Sequence, residues 1–109
     1  MTPSTLALAR RVRALLAEPE RWTQGEFARD KAGRSVRPGW RSASCWCLLG
    51  AIDHFASKDP YYGIWMSGDL CRRLFDATGC SASEWNDAPG RTHADVLALL
   101  DRVIAEGER

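Results

Sequence analysis

The sequence has no apolar run long enough to cross a bilayer, no Cys-x-x-Cys pair, no recognisable catalytic or cofactor-binding motif, and only two histidines, His54 and His93. Each absence removes a class of function. A membrane-spanning helix needs about 20 consecutive apolar residues. The apolar start of the chain is cut by Arg10, Arg11 and Arg13 before a secretory core could form, so a cytoplasmic protein with no membrane partner is expected. Cys45 and Cys47 would point to different sides of a helix, and neither Cys71 nor Cys80 completes a zinc-ligand spacing. No metal and no cofactor is therefore expected, and in a reducing compartment the four cysteines are read as free thiols.

What is present is ordinary globular composition, with 45% hydrophobic and 27% charged residues, and the 109 residues suit one domain over 1–109. The net charge of +1 hides an asymmetry. Residues 1–44 carry nine Lys/Arg against four Asp/Glu, whereas residues 45–109 carry six against ten. The charge dipole persists in space only if the two halves pack without interleaving.

Hydrophobic periodicity predicts a mainly α fold: a compact four-helix domain with a short extended or β-hairpin arm between helices 1 and 2. The first helix begins after a Ser4 cap and runs to about residue 17, with Leu8, Val12, Leu15 and Leu16 on one stripe and Pro19 as its stop. The arm follows from Trp22 through the turn chemistry of Asp30 and Gly33 to Pro38-Gly39. Ser44 is expected to cap a second helix over 43–56, burying Trp46, Leu49, Ile52 and Phe55. A turn-rich connection over 58–63 separates it from a third helix, from residue 67 or 68 to 78, with Leu70, Leu74, Phe75 and Ala77 inward and Gly79 as its stop. A structured loop over 83–91 contains Pro89-Gly90 at the centre of a type II turn, and Thr92 with Asp95 opens the last helix as a capping box.

Three segments stand out as motifs: Trp22-Thr23-Gln24-Gly25 with Ala28-Arg29-Asp30, then Trp46-Cys47-Leu48-Leu49-Gly50-Ala51-Ile52, then Trp85-Asn86-Asp87-Ala88-Pro89-Gly90-Arg91-Thr92. Together they resemble a family of small bacterial and phage-encoded proteins classed as a domain of unknown function, over nearly the whole chain. The resemblance implies these segments in this order and a phage or prophage origin, and it carries no catalytic residues. Tyr61, Tyr62 and Trp65, between residues 57 and 66, stand outside that pattern, so a function there would be particular to this protein.

Two kinds of site compete. For an enzyme, Cys47 in the first turn of helix 2 would be favoured as a thiolate by the helix dipole, with His93 as base and Asp87 or Asn86 as orienting group. Flanking Trp46, Leu48 and Leu49 favour a buried structural thiol instead. His54 lies roughly 10 Å along the helix from Cys47, too far for direct proton exchange. The Trp85-Asn86-Asp87 run reads as architecture holding the loop before the last helix. For binding, Arg29, Lys31, Arg34, Arg37 and Arg41 cluster around Trp40, and Arg and Trp are the residues most enriched at interface hot spots. The reading adopted is a non-enzymatic accessory protein that docks on another protein, in one version restraining a host enzyme or defence system. Its surface would comprise Arg34, Arg37, Trp40 and Arg41, with Tyr61, Tyr62 and Trp65 as a second candidate. Two alternatives stand behind it: a cysteine-dependent hydrolase or transferase, and a weak nucleic-acid binder through arm 29–41, which lacks any accompanying recognition motif.

Overall fold

Thr2, not Ser4, starts the first helix. Pro3 has its φ preset for the first helical position and no N–H to leave unpaired, so α1 (Pro3–Leu15) begins there, and the Thr2 hydroxyl accepts from the Thr5 amide at 3.1 Å. The computed structural model describes residues 1–59 and 62–109, and leaves the Tyr62 side chain undescribed. The further elements are β1 (Ala28–Arg29), β2 (Cys45–Trp46), α2 (Leu48–Ala56), α3 (Tyr62–Thr78), α4 (Ala82–Asp87) and α5 (His93–Gly107), with a single 3₁₀ turn at Pro19–Arg21. The fold is mainly helical with a two-stranded antiparallel sheet, and the described residues form five helices where the periodicity suggested four.

The second helix starts five residues later than expected because its predicted first turn is a strand. The Ser44 amide donates to the Arg29 carbonyl (2.8 Å) and the Cys47 amide to the Phe27 carbonyl (3.2 Å), pairing Arg29 with Cys45 and Ala28 with Trp46. Hence Cys47, not Ser44, caps α2. The arm does form a hairpin, but its partner strand lies beyond Pro38-Gly39, inside the segment assigned to helix 2. At the arm's tip Asp30 Oδ1 accepts from the amides of Ala32 and Arg34, both at 2.9 Å, around Gly33 at φ +83°. Those amides, that of Arg34 foremost, hold the Asp30 carboxyl below its usual range.

The third helix starts earlier than expected, at Tyr62, so Trp65 belongs to a helix and not to a linker. Tyr61 lies outside the described residues. Gly63 is buried against α2, where a Cβ would come within 2.7 Å of the Ala56 carbonyl oxygen. The predicted inward face of α3 holds for Leu70 and Leu74, both fully buried, but not for Phe75, which is 53% exposed. At 100° per residue Phe75 falls about 140° from Leu70, on the far side of the helix. Within the loop read over 83–91, Ser81 caps the short helix α4, while Pro89-Gly90 makes the expected turn: the Arg91 amide donates to the Ala88 carbonyl (3.0 Å) with Gly90 at φ +81°. The Thr92–Asp95 capping box forms as expected.

Leu8, Val12 and Leu16 of the first helical segment meet Leu48 and Ile52, Leu70 and Leu74, and Val96, Leu100 and Val103 in one buried cluster. Helix α1 lies at its centre, against α2, α3 and α5. The two charge-biased halves interleave there: Arg10 pairs with Glu108 (2.8 Å) and Arg13 with Asp101 (2.9 Å). These two pairs offset part of the sequence dipole along α1 and α5, and on the arm Arg34 Nε pairs with Asp30 Oδ2 at 3.1 Å. No helix among the described residues is long and apolar enough to cross a membrane.

Candidate functional site

The three segments singled out in the sequence converge on one side chain. Asn86, at the end of α4, is completely buried. Its Oδ1 accepts from Trp22 Nε1 (2.7 Å) and from the Leu48 amide (3.0 Å). Its Nδ2 donates to the Thr23 carbonyl (3.1 Å) and to Asp87 Oδ1 (3.0 Å). Asp87 Oδ1 also accepts from the Gly25 amide (3.0 Å), and Gln24 Nε2 donates to the Asn86 carbonyl (2.8 Å). An asparagine amide can make about four such bonds, two accepted and two donated, so nothing is left over for a ligand. The Arg91 guanidinium covers the Trp85 ring at 3.9 Å while its Nε donates to the Trp85 carbonyl. These motif residues clamp the 22–25 segment, the start of α2 and the end of α4 to one another.

The residues of the enzyme alternative are spent in the same way. Cys47 is 3% exposed, and its Sγ accepts from the Gly50 amide at 3.2 Å. Burial pushes its thiol above the ordinary range, against the lowering effect of the Gly50 and Leu49 amides and with some help from the charges of Asp87 and Asp53. As the capping residue it has that amide for a partner, but desolvation outweighs the gain. His93 donates from Nε2 to the Leu16 carbonyl (2.6 Å), since a carbonyl can only accept, and its ring lies 6.3 Å from that of Trp22. Asp87 is bound to Gly25 and Asn86. Iodoacetamide labelling of the folded protein near pH 7, mapped by mass spectrometry, is accordingly expected to leave Cys47 unmodified until denaturant is added. Modification of native Cys47 at the rate of a free thiol would restore the nucleophile. Among the described residues no three His, Cys, Asp or Glu side chains converge to hold a metal ion.

The arm is different, because its groups face outward from a rigid frame. Arg29 is the exception within the basic cluster. Its guanidinium bonds Thr23 Oγ1 and the carbonyls of Gly33 and Gln24, all at 3.2 Å, so it braces the arm from inside. Lys31, Arg34, Arg37 and Arg41 are exposed. Pro38 anchors the far side of the lobe: its carbonyl accepts from Trp46 Nε1 (2.9 Å) and His54 Nδ1 (2.7 Å). On that anchored turn Trp40 is 53% exposed, with the Arg37 guanidinium 5.7 Å from its ring centre. Beside it a shallow basin of about 360 Å³ is lined by Lys31, Arg34, Arg41, Ser42 and Ser44 with Asp30. The structure thus brings Arg34, Arg37, Trp40 and Arg41 onto one lobe.

Of the second candidate surface, Tyr61 and the Tyr62 side chain lie outside the described residues, and Trp65 stands on α3, 75% exposed. On the same helix Ile64, which no sequence expectation covers, is 69% exposed, and Phe75, expected inward, is 53% exposed. The signal that would have exposed Ile64 is the helical wheel of α3 begun at Tyr62 and not at residue 67.

No curated protein and no solved structure matches the chain. The family model of DUF6197, a family of unknown function, matches residues 1–106, and the chain belongs to that family.

Proposed function

We propose that this protein is a non-catalytic binding module that docks on an acidic protein surface through lobe 30–44. The observation that carries the reading is Trp40: a half-exposed indole capped by Arg37, on a turn whose backbone is fixed from within by Trp46 and His54. Presenting an aromatic anchor on an immobilised backbone lowers the entropy lost on binding, and surrounding guanidinium groups supply steering and a polar rim. On this reading the module would act in the cytoplasm as a bacterial or phage accessory protein, with restraint of a host enzyme or defence system as its specific version.

Double replacement Arg37→Ala/Trp40→Ala is expected to weaken partner capture by roughly thirtyfold or more, the loss of one hot spot, and to leave the melting temperature nearly unchanged. The check is quantitative capture from host lysate by both proteins, followed by titration of the purified acidic partner. Unaltered capture by the folded double mutant would move the docking surface elsewhere. Capture destroyed by nuclease treatment and falling steeply with salt would identify the alternative, phosphate contacts from Lys31, Arg34 and Arg41.

A further inference from the structure

Among the described residues helix α3 carries three of five exposed large apolar side chains, Ile64, Trp65 and Phe75, although its inner face is already satisfied by Leu70 and Leu74. At 100° per residue Ile64, Phe75, Gly68, Arg72 and Trp65 fall, in that order, within an arc of about 100°. The fold leaves this whole arc uncovered. Gly68 is at its middle, and a Cβ built there would meet nothing within 4 Å. Such a patch, apolar at both ends with a notch between, has the composition of an interface.

We propose that this face pairs with the same face of a second copy of the chain, α3 against α3 in antiparallel fashion. The pattern is self-complementary in the way a two-fold axis demands. With the axis crossing the helix at the level of residue 70, Trp65 of each copy lies against Phe75 of the other, which gives two aromatic pairs spaced about 15 Å apart. The same operation sets each Arg72 opposite the second copy's Gly68, where the missing Cβ leaves room for the arginine stem. Charge favours a copy of this chain over an acidic or basic partner. Arg72 lies 3.0 Å from Asp69 and 4.0 Å from Asp76 on its own helix, and Arg73 lies 3.7 Å from Asp69, so the two arginines balance the two carboxylates and leave no net charge to attract an oppositely charged partner or repel a copy.

Area sets the strength. The exposed parts of Ile64, Trp65 and Phe75 amount to roughly 400 Å² per copy, and Gly68, Arg72 and their neighbours bring a two-fold contact near the lower limit of about 1,200 Å² for a specific interface. The pairing is therefore reversible, with a dissociation constant on the order of 10–100 µM.

Sedimentation velocity from about 5 to about 500 µM should show a monomer–dimer equilibrium in that range. Gly68→Glu introduces a side chain that the monomer has space for but the paired face does not. It is expected to weaken dimerisation at least tenfold while circular dichroism and melting temperature show an intact monomer. Trp65→Ala should weaken it comparably by removing both aromatic pairs. A wild-type chain that stays monomeric throughout the range would overturn the proposal, as would a dimer whose dissociation constant neither substitution changes.

Discussion

Gly50→Ala is expected to destabilise the protein by about 3 kcal/mol or more and to lower its melting temperature by roughly 12–24 °C, although alanine is the better helix former by about 1 kcal/mol. Gly50 lies in the first turn of α2, where strand β1 crosses the helix. A Cβ there would come 1.8 Å from the Phe27 carbonyl oxygen, 2.7 Å from its carbon and 3.1 Å from the Phe27 Cα. The obstacle is backbone, so it cannot swing aside as a side-chain tip can. Phe27 is held in place because its carbonyl accepts from the Cys47 amide and because Ala28 next to it is completely buried. Relief requires either parting β1 from α2 or shifting the first turn of α2, and the second course also disturbs the bond from the Gly50 amide to Cys47 Sγ. Urea and thermal unfolding of the variant check this. A melting temperature equal to or above that of the wild type would mean that strand and helix separate at no cost, and that helix propensity alone decides.

The same glycine shows how far the sequence could be read. Within Trp46-Cys47-Leu48-Leu49-Gly50-Ala51-Ile52 the helical period was visible, and so were the apolar residues that the helix buries. The close approach of a strand was not, because that contact is made with Phe27, more than twenty residues away, and leaves no local trace. Cys45 and Trp46 look helical for a related reason: a two-residue strand has too few positions to show alternation, and long-range hydrogen bonds to residues 23, 27 and 29 keep it extended. Local signals succeeded where the chemistry is local. The Thr92–Asp95 box, the Pro89-Gly90 turn and the Asp30–Gly33 turn all formed, since each bond they need is supplied within about five residues. Phe75 lies outward for a different reason: it is apolar and adjacent to the buried Leu74 in sequence, yet the helical wheel sets it about 140° from Leu70.

The candidate site was legible in composition and not in arrangement. Arg34, Arg37, Trp40 and Arg41 could be grouped by proximity in the chain, but the task of Arg29 could not be separated from theirs without knowing that residues 23, 24 and 33 surround it. Cys47 was tempting because a helix start and a thiol were foreseen, and both are there. What the sequence concealed is that the thiol is the cap itself, enclosed by the strand and desolvated. Conversely, the frame that immobilises Trp40 depends on Pro38 accepting from Trp46 and His54, two bonds no spacing rule suggests.

Asn86→Ala is expected to have the largest effect of any single polar substitution, on the order of 4 kcal/mol, which is a large share of the 5–15 kcal/mol that stabilises a domain. Removal of the carboxamide strands Trp22 Nε1, the Leu48 amide and the Thr23 carbonyl, which it bonds at 2.7, 3.0 and 3.1 Å. Each group left unpaired away from water costs about 1–3 kcal/mol, and the Leu48 amide is the more exacting because it belongs to the first residue of α2 and has no intrahelical partner. The deletion also removes one of the two bonds to Asp87 Oδ1, so the 22–25 segment is held to α4 only by the Gly25 amide and the Gln24 side chain. A structural clamp of this kind predicts coupling between its members. Trp22→Phe removes one donor and keeps most of the ring, at a cost of about 1–2 kcal/mol. Combined with Asn86→Ala it should cost less than the two changes added together, by about 1–2 kcal/mol, because the indole N–H that Asn86→Ala leaves unsatisfied is then absent. Urea denaturation of the four proteins in the cycle measures the difference. Strict additivity would show that the 2.7 Å bond contributes nothing to stability, and the convergence of the three segments on Asn86 would then need an explanation other than the clamp.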